Sequence, residues 1–426
     1  MNIKNLNLSI SGKNILKDIN LQVKKAQIVA LVGQSGSGKS MLAYSILKLL
    51  PKNVTLDGEI NFDNKNILKL SQDELLNLRG KDIAIIFQEP LSALNPLHRI
   101  KKQIAEMIYT HEERAKDLEN RVYELLKKVE LDKYADVKKI ANSYIHELSG
   151  GQRQRVLIAM AIANNPKILI ADEPTTALDV SIQDEILNLL KKLKNEFNMS
   201  ILFISHDLGV VKSFSEYIYV INKGKIVEHN TTKELFQNPK NSYTKDLLRA
   251  NIVAKDFDIK EEKLLDVKNL HVYFPIKKGL FKRVVGHFKA VDNVSFELKI
   301  GECFGIIGES GSGKSTLANA ILKLMESSGD IIFSNQNLNN LSKKDLRALR
   351  SKMQIVFQDP FNSLNPRLSI FSIISEGLDI HTKLSKKQKI NLVKEILKEV
   401  DMPDESIFRY PHEFSGGQRQ RIAIAR

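Results

Sequence analysis

The sequence predicts an α/β protein built from two tandem copies of one domain, the second copy incomplete. Three observations carry this. A glycine-rich loop at 33–40 returns at 308–315, and a Gln-centred stretch at 86–90 returns at 356–360. Short apolar runs of the parallel-sheet kind, IVALV, DIAIIF, KILIA and ILFIS, are separated by helical stretches. At 426 residues the chain is too long for one ordinary core.

The repeat is one of whole domains. Lys39 returns as Lys314, Gln88 as Gln358 and Ser149 as Ser415, at offsets of 275, 270 and 266 residues. The drift is what changes in loop length require, and so long a period excludes a short-repeat solenoid.

In the first copy, Ile3, Leu6, Leu8 and Ile10 predict a half-buried strand. IVALVG is a buried strand running into the glycine loop, and MLAYSILKLL is the helix after it. Residues 99–131 read as helix, with Ile100, Ile104, Met107 and Ile108 on one face and Val122, Leu125, Leu126 and Val129 on another. They make a helical lobe separate from the sheet. YIYVINKGKIVEHN is a hairpin turning at Lys223-Gly224. These elements divide the chain into a first domain, 1–250, a charged linker, 251–263, and a second domain, 264–426. The linker, NIVAKDFDIKEEK, spans about 45 Å when extended.

Composition narrows the class. Hydrophobic content of 42% and charge of 27% are those of a globular protein. No apolar run is long enough to span a membrane, and MNIKNLNLSISGKN lacks the apolar core of a signal peptide, so a cytoplasmic location is expected. The formal net charge of +14 is carried by lysines mixed with Glu along helices such as LVKEILKEV, which describes solvated helix faces. The lone Cys303 excludes a disulfide framework; its neighbours Phe304, Ile306 and Ile307 predict a buried structural thiol.

The glycine loops carry the chemistry. Gly33-Gln34-Ser35-Gly36-Ser37-Gly38-Lys39-Ser40 and Gly308-Glu309-Ser310-Gly311-Ser312-Gly313-Lys314-Ser315 both match G-x-x-x-x-G-K-S, each between an apolar strand and a helix. Glycines let backbone N–H groups close around phosphate oxygens, and the helix N-terminus adds positive charge. Lys39 or Lys314 then reaches the β- and γ-phosphates, and the hydroxyl of Ser40 or Ser315 suits Mg²⁺. KILIA ends in Asp172-Glu173, where Asp172 is placed to hold Mg²⁺ and Glu173 is the candidate base for an attacking water. Gln88 ends the DIAIIF strand and is the candidate for ordering that water and the metal. His206 ends the ILFIS strand within reach of a γ-phosphate.

These residues, in this order with LSGGQRQR at 148–155 and FSGGQRQR at 414–421, resemble the ATP-binding cassette (ABC) ATPases. The resemblance implies RecA-like cores, each with an antiparallel β subdomain and a helical subdomain. It implies two ATP molecules held between two halves. One site would use Gly33–Ser40, Gln88, Asp172, Glu173 and His206 with Ser415, Gly416, Gly417 and Gln418. The other would use Gly308–Ser315, Thr316 and Gln358 with Ser149, Gly150, Gly151 and Gln152; there Ser315 and Gln358 would take Mg²⁺. Family members usually stack adenine on an aromatic ring. The first half has Ile10 near that place, and the second offers Tyr273, Phe274 and Phe288.

FQEPLSALNP, FQDPFNSLNP and NPKNSYTKDLL (238–248) look like stretches of peptide and nickel importer ATPases, here fused in one chain. This resemblance implies import of peptides or a related solute through two transmembrane permease subunits. It also implies indirect service to an extracytoplasmic solute-binding protein and a peripheral place on the cytoplasmic face of the membrane. No nucleic-acid partner is expected; the alternative is a soluble tandem ABC ATPase acting on ribosomes or nucleic acid. The second acidic pair and second histidine fall beyond residue 426, and the expectation is that the sequence is part of a longer chain.

Overall fold

The computed structural model describes residues 1–51, 53–88, 93–112, 117–176, 178–249, 259–279, 283–309, 311–357 and 363–426. Two units divide the chain, Met1–Val253 and Ala254–Arg426.

In the first unit, β1 (Asn2–Ile10), β2 (Lys13–Gln22), β4 (Val54–Phe62) and β5 (Lys65–Asn66) form an antiparallel sheet in the order β2-β1-β4-β5. The predicted alternation slips once in β1. Asn5 adopts φ +48°, and the register with β4 shifts between Lys4 and Asn7. The bulge lets Ile3 and Leu6, three apart, both point into the core with Leu8.

The second sheet is assembled from β3 (Ile28–Val32), β6 (Ile83–Ile86), β7 (Ile168–Asp172), β8 (Ser200–Ser205), β9 (Tyr217–Asn222) and β10 (Lys225–Thr231), in the order β10-β9-β3-β8-β7-β6. All pairs are parallel except β10 with β9. Its inner strands β3, β7 and β8 are buried along their whole length because both faces are covered, while the edge strand β10 is largely polar and holds no fully buried residue. Val29, Leu31, Ile170, Leu202 and Ile204 pack towards the antiparallel sheet and the helix Lys39–Ile46. Their neighbours Ala30, Val32, Leu169, Ile201 and Phe203 pack towards the helical side. The period of two thus fills two cores from one sheet.

Residues 99–131, expected as continuous helix, form two helices, Ile100–Tyr109 and Leu118–Lys128. The first stops at Thr110–Glu112, and Asp117 enters the second with a left-handed φ of +55°. Two separate helices explain the two apolar faces read from the sequence. Residues 113–116 lie outside the described residues.

The second unit contains β11 (Lys263–Lys278), β12 (Arg283–Lys299), β13 (Ser328–Phe333) and β14 (Gln336–Asn337), an antiparallel sheet in the order β12-β11-β13-β14. The helix Lys314–Ile321 packs on it through Leu317 and Ala320. The helices Ile370–His381, Lys386–Glu399 and Gly416–Ala425 share a separate core of Ile370, Ile374, Val393, Leu397 and Ile422. Residues 303–307 and 353–356, the counterparts of β3 and β6, form no strand, and Ile307 is 95% exposed. In the first unit β3 is held between β8 and β9, and no copies of those strands occur among the described residues of 301–426. The expected burial of Cys303 is corrected for the same reason: its thiol is exposed. No described helix is long and apolar enough to cross a membrane.

Candidate functional site

Parallel register gathers the site. Val32 pairs with Ser205, Asp172 with Ile204 and Ile86 with Ala171. The C-terminal ends of β3, β6, β7 and β8 therefore lie along one edge, where ligands of open α/β sheets bind. The loop Gly33–Gly38, Gln88, Asp172-Glu173 and His206 all leave the sheet there.

The loop closes around its own lysine. Lys39, 5% exposed, donates from Nζ to the Gly33 carbonyl at 2.9 Å and the Gln34 carbonyl at 3.1 Å. Gly38 caps the following helix at φ +106°, and a Cβ on Gly33 would stand 2.2 Å from the Ile221 carbonyl oxygen. Gln34, Ser35 and Gly36 are exposed, while Ser37 is buried and its hydroxyl finds no hydrogen-bond partner. Burial pulls the Lys39 ammonium below the usual lysine range, opposed by the charges of Glu173 and Asp172.

One supporting residue was legible only as a turn. Gly224, between β9 and β10, donates its N–H to the Ser37 carbonyl at 3.0 Å and accepts from the Lys17 N–H at 2.8 Å. It ties the glycine loop to β2. No local signal in the sequence marks that approach, because the three segments meet only in the folded unit.

The acidic pair separates into two environments. Asp172 is fully buried, and neither carboxylate oxygen makes a hydrogen bond of ordinary geometry. Burial pushes its pKa up, partly offset by the nearby Ser40 hydroxyl. Glu173 is surrounded instead. Its Oε2 accepts from Gln88 Nε2 at 2.8 Å and from the Thr176 hydroxyl at 3.0 Å. Its Oε1 lies 3.1 Å from His206 Nδ1 and 3.9 Å from Lys39 Nζ. Burial alone would push this carboxyl up, but His206, Lys39 and Thr176 together hold it below the usual range. The hydrogen bond to Glu173 in turn raises His206. Glu173 sits at a left-handed φ of +49°, uncommon for a side chain of its size. The Thr176 hydroxyl thus joins this cluster.

Both Ser-Gly-Gly-Gln stretches start helices. Ser149 accepts from the Gln152 N–H at 3.3 Å while the Gln152 side chain accepts from the Ser149 N–H at 2.9 Å, opening the helix Gly150–Ile162. Ser415 and Gln418 repeat this box at 3.4 and 3.0 Å, ahead of Gly416 and Gly417 in the helix Gly416–Ala425. In the first helix, a Cβ on Gly151 would stand 2.7 Å from Ile182 Cγ2. Arg155, 1% exposed, donates to the Val129 carbonyl at 2.9 Å and to Glu185 at 2.8 Å.

The second loop repeats the first in outline. Lys314 Nζ donates to the Gly308 and Glu309 carbonyls at 2.6 and 2.7 Å, with Gly311 at φ +81° and Gly313 at φ +93°. Ser312 and Ser315 are exposed, and Thr316 is half-buried. Ser310 and Gln358 lie outside the described residues. Among the three aromatics, Tyr273 hydrogen-bonds Asp292 and lies under Lys289, whereas Phe274 and Phe288 face each other across β11 and β12.

A glycine loop between strand and helix, beside a strand that ends in a buried carboxylate, defines the class of P-loop nucleoside triphosphatases. The chain belongs to the ABC transporter family, whose model matches residues 16–176 and 291–426. It is therefore an ATPase with two cassette regions. The peptidoglycan transport ATP-binding protein YejF of Agrobacterium fabrum is 47% identical over 96% of this chain and 75% of its own length. The uncharacterized ABC transporter ATP-binding protein YejF of Escherichia coli K12 is 46% identical over 97% of this chain and 79% of its own. The glutathione import ATP-binding protein GsiA of Salmonella choleraesuis is 39% identical over 98% and 74%.

Proposed function

We propose that this chain is the ATP-hydrolysing subunit of an importer for peptides or peptide-like solutes, working through two membrane permease subunits at the cytoplasmic face. The observation that carries hydrolysis is the Glu173 carboxylate, held by Gln88, His206 and Thr176 beside Lys39. Support for import comes from the relatives named for peptidoglycan transport and glutathione import, which align over nearly the whole chain. The Asn238–Leu248 tail adds to it.

In this reading Lys39 leaves the Gly33 and Gln34 carbonyls for the β- and γ-phosphates of ATP. The orphaned oxygens of Asp172 and the Ser40 hydroxyl fit a hard, oxygen-seeking divalent cation that brings most of its other ligands as water and phosphate. Mg²⁺ bound there would neutralise charge on the phosphate oxygens. Glu173, kept ionised by its neighbours, polarises the attacking water, and Gln88 and His206 fix the direction of its carboxylate. In the second unit Lys314, Ser315 and Gln358 take the corresponding phosphate and Mg²⁺ roles.

The test is uptake. Cells lacking the gene should fail to take up a labelled peptide, and expression of the full chain should restore it while Lys39→Ala should not. Rescue of glutathione uptake alone would move the solute assignment. Unimpaired uptake of every such solute, with salt-sensitive association of the chain with ribosomes, would favour the nucleic-acid alternative.

A further inference from the structure

The phosphate loop has a second anchor that none of its motif residues supplies. The backbone N–H of Gln34 donates to the hydroxyl of Tyr243 at 3.1 Å, across 209 residues of sequence. Tyr243 belongs to the helix Ser242–Arg249, the last described element before the residues that lead to the second unit. We propose that Tyr243 is a positioning residue for the phosphate loop, and that it latches this tail helix to nucleotide occupancy of the first site.

The tail is docked firmly enough to act as an anchor. Glu228 of β10 accepts from the Lys240 N–H at 2.7 Å and the Asn241 N–H at 3.1 Å. Asn241 Oδ1 accepts from the Tyr243 N–H at 2.9 Å, turning the chain into the helix. Tyr243 and Leu247 pack against the main core, and Thr244 is 1% exposed. The hydroxyl thus reaches Gln34 from a ring fixed at its root.

The geometry of residue 34 explains why the contact bears on ATP. Its carbonyl accepts from Lys39 Nζ and from the Ser37 N–H at 3.2 Å. Its N–H is taken by Tyr243 and is not offered to phosphate. When Lys39 turns to a phosphate, Gln34 loses a charged donor at its carbonyl, while Tyr243 still holds its N–H. The hydroxyl therefore keeps the entrance of the loop in shape through the exchange of lysine partners. Coupling is reciprocal: whatever Tyr243 contributes to nucleotide binding, nucleotide returns to the docking of the tail helix.

The experiment uses the full chain, MgADP as the probe, and the variant Tyr243→Phe, which keeps the ring and removes the hydroxyl. Loss of one such hydrogen bond should weaken MgADP binding about three- to tenfold. KM for ATP should rise in parallel with kcat little changed, since Lys39 and Glu173 are untouched. Hydrogen exchange carries the second readout. MgADP should raise protection of the 243–249 amides in the wild type and not in Tyr243→Phe. Tyr219→Phe is the control: its hydroxyl accepts from the Gln22 N–H at 3.1 Å, and among the described residues no hydrogen bond joins that hydroxyl to the loop. Its loss should leave MgADP affinity unchanged. Equal affinity of Tyr243→Phe and wild type, equal loss in both variants, or nucleotide-induced protection that persists in Tyr243→Phe would overturn the proposal. The proposal rests on residues 33–40 binding nucleotide; a wild type that does not bind MgADP would sink that reading instead.

Discussion

His206 Nδ1 stands 3.1 Å from Glu173 Oε1, on the side of the carboxylate away from Gln88 and Thr176. One oxygen is held by an imidazole and the other by an amide and a hydroxyl, so the carboxylate has one orientation. Glu173→Gln keeps the shape and removes the proposed base. Hydrolysis should fall about 10²–10⁴-fold while MgATP binding persists. Equal turnover in wild type and variant, measured by phosphate release, would remove Glu173 from that role.

Gly224 supports the loop from the other side. Its φ is +77°, and an added Cβ would lie 1.9 Å from the Ile15 carbonyl oxygen. Backbone cannot yield as a side chain tip does. Gly224→Ala should cost about 2 kcal/mol or more in stability and also weaken MgADP binding, because its N–H holds the Ser37 carbonyl. Thermal unfolding of the full chain and calorimetric MgADP titration read the two effects. An unchanged melting temperature would mean that the turn relaxes freely.

Most of this site was legible because its chemistry is local. The loops, the acidic strand end and the Ser-Gly-Gly-Gln helices each need certain residue types at fixed spacing, and in the first unit the loop, Gln88, the acidic pair and His206 stand at adjacent strand ends. What escaped was long-range. Gly224 meets Ser37 and Tyr243 meets Gln34, each across most of the first unit. Each contact uses a residue whose local pattern is already explained by a turn or a helix. The two helices within 99–131 escaped for a different reason: the apolar period on both sides is helical, and the sequence between them, THEERAKD, contains no Gly or Pro to mark a break. Cys303 was misplaced because an apolar run is buried only when neighbouring strands cover it.

Arg155 ties the first Ser-Gly-Gly-Gln helix to its surroundings. Its guanidinium is 1% exposed and reaches Val129 and Glu185, with Glu130 at 3.5 Å. Arg155→Met fills similar volume without these bonds. The variant should lose about 2 kcal/mol, since the carboxylates left behind are partly solvated. Pairing it with Glu185→Gln should give less than the sum of the single losses, because both remove one interaction. Strict additivity in urea unfolding would mean that the pair does not couple.

Glu130 gives this region a pH dependence. The hydrogen bond from Lys133 lowers its pKa from the usual 4.5 to about 2, with Lys192 adding to the effect against a smaller opposing influence of burial. Lys133 and Lys192 lie 2.8 and 3.0 Å away, and Arg155 faces it from the neighbouring helix at 3.5 Å. A folded-state pKa below the unfolded value means the carboxylate stabilises the fold above pH 4.5. That contribution is lost as pH falls towards 2. Solvent screens these partners, so the contribution is about 1 kcal/mol at neutral pH. Glu130→Gln should therefore be less stable than wild type at pH 7. The gap should narrow below pH 4.5 and close near pH 2. Urea midpoints measured across that range test it, and a gap that stays constant down to pH 3 would show that the charge of Glu130 is not what holds the turn.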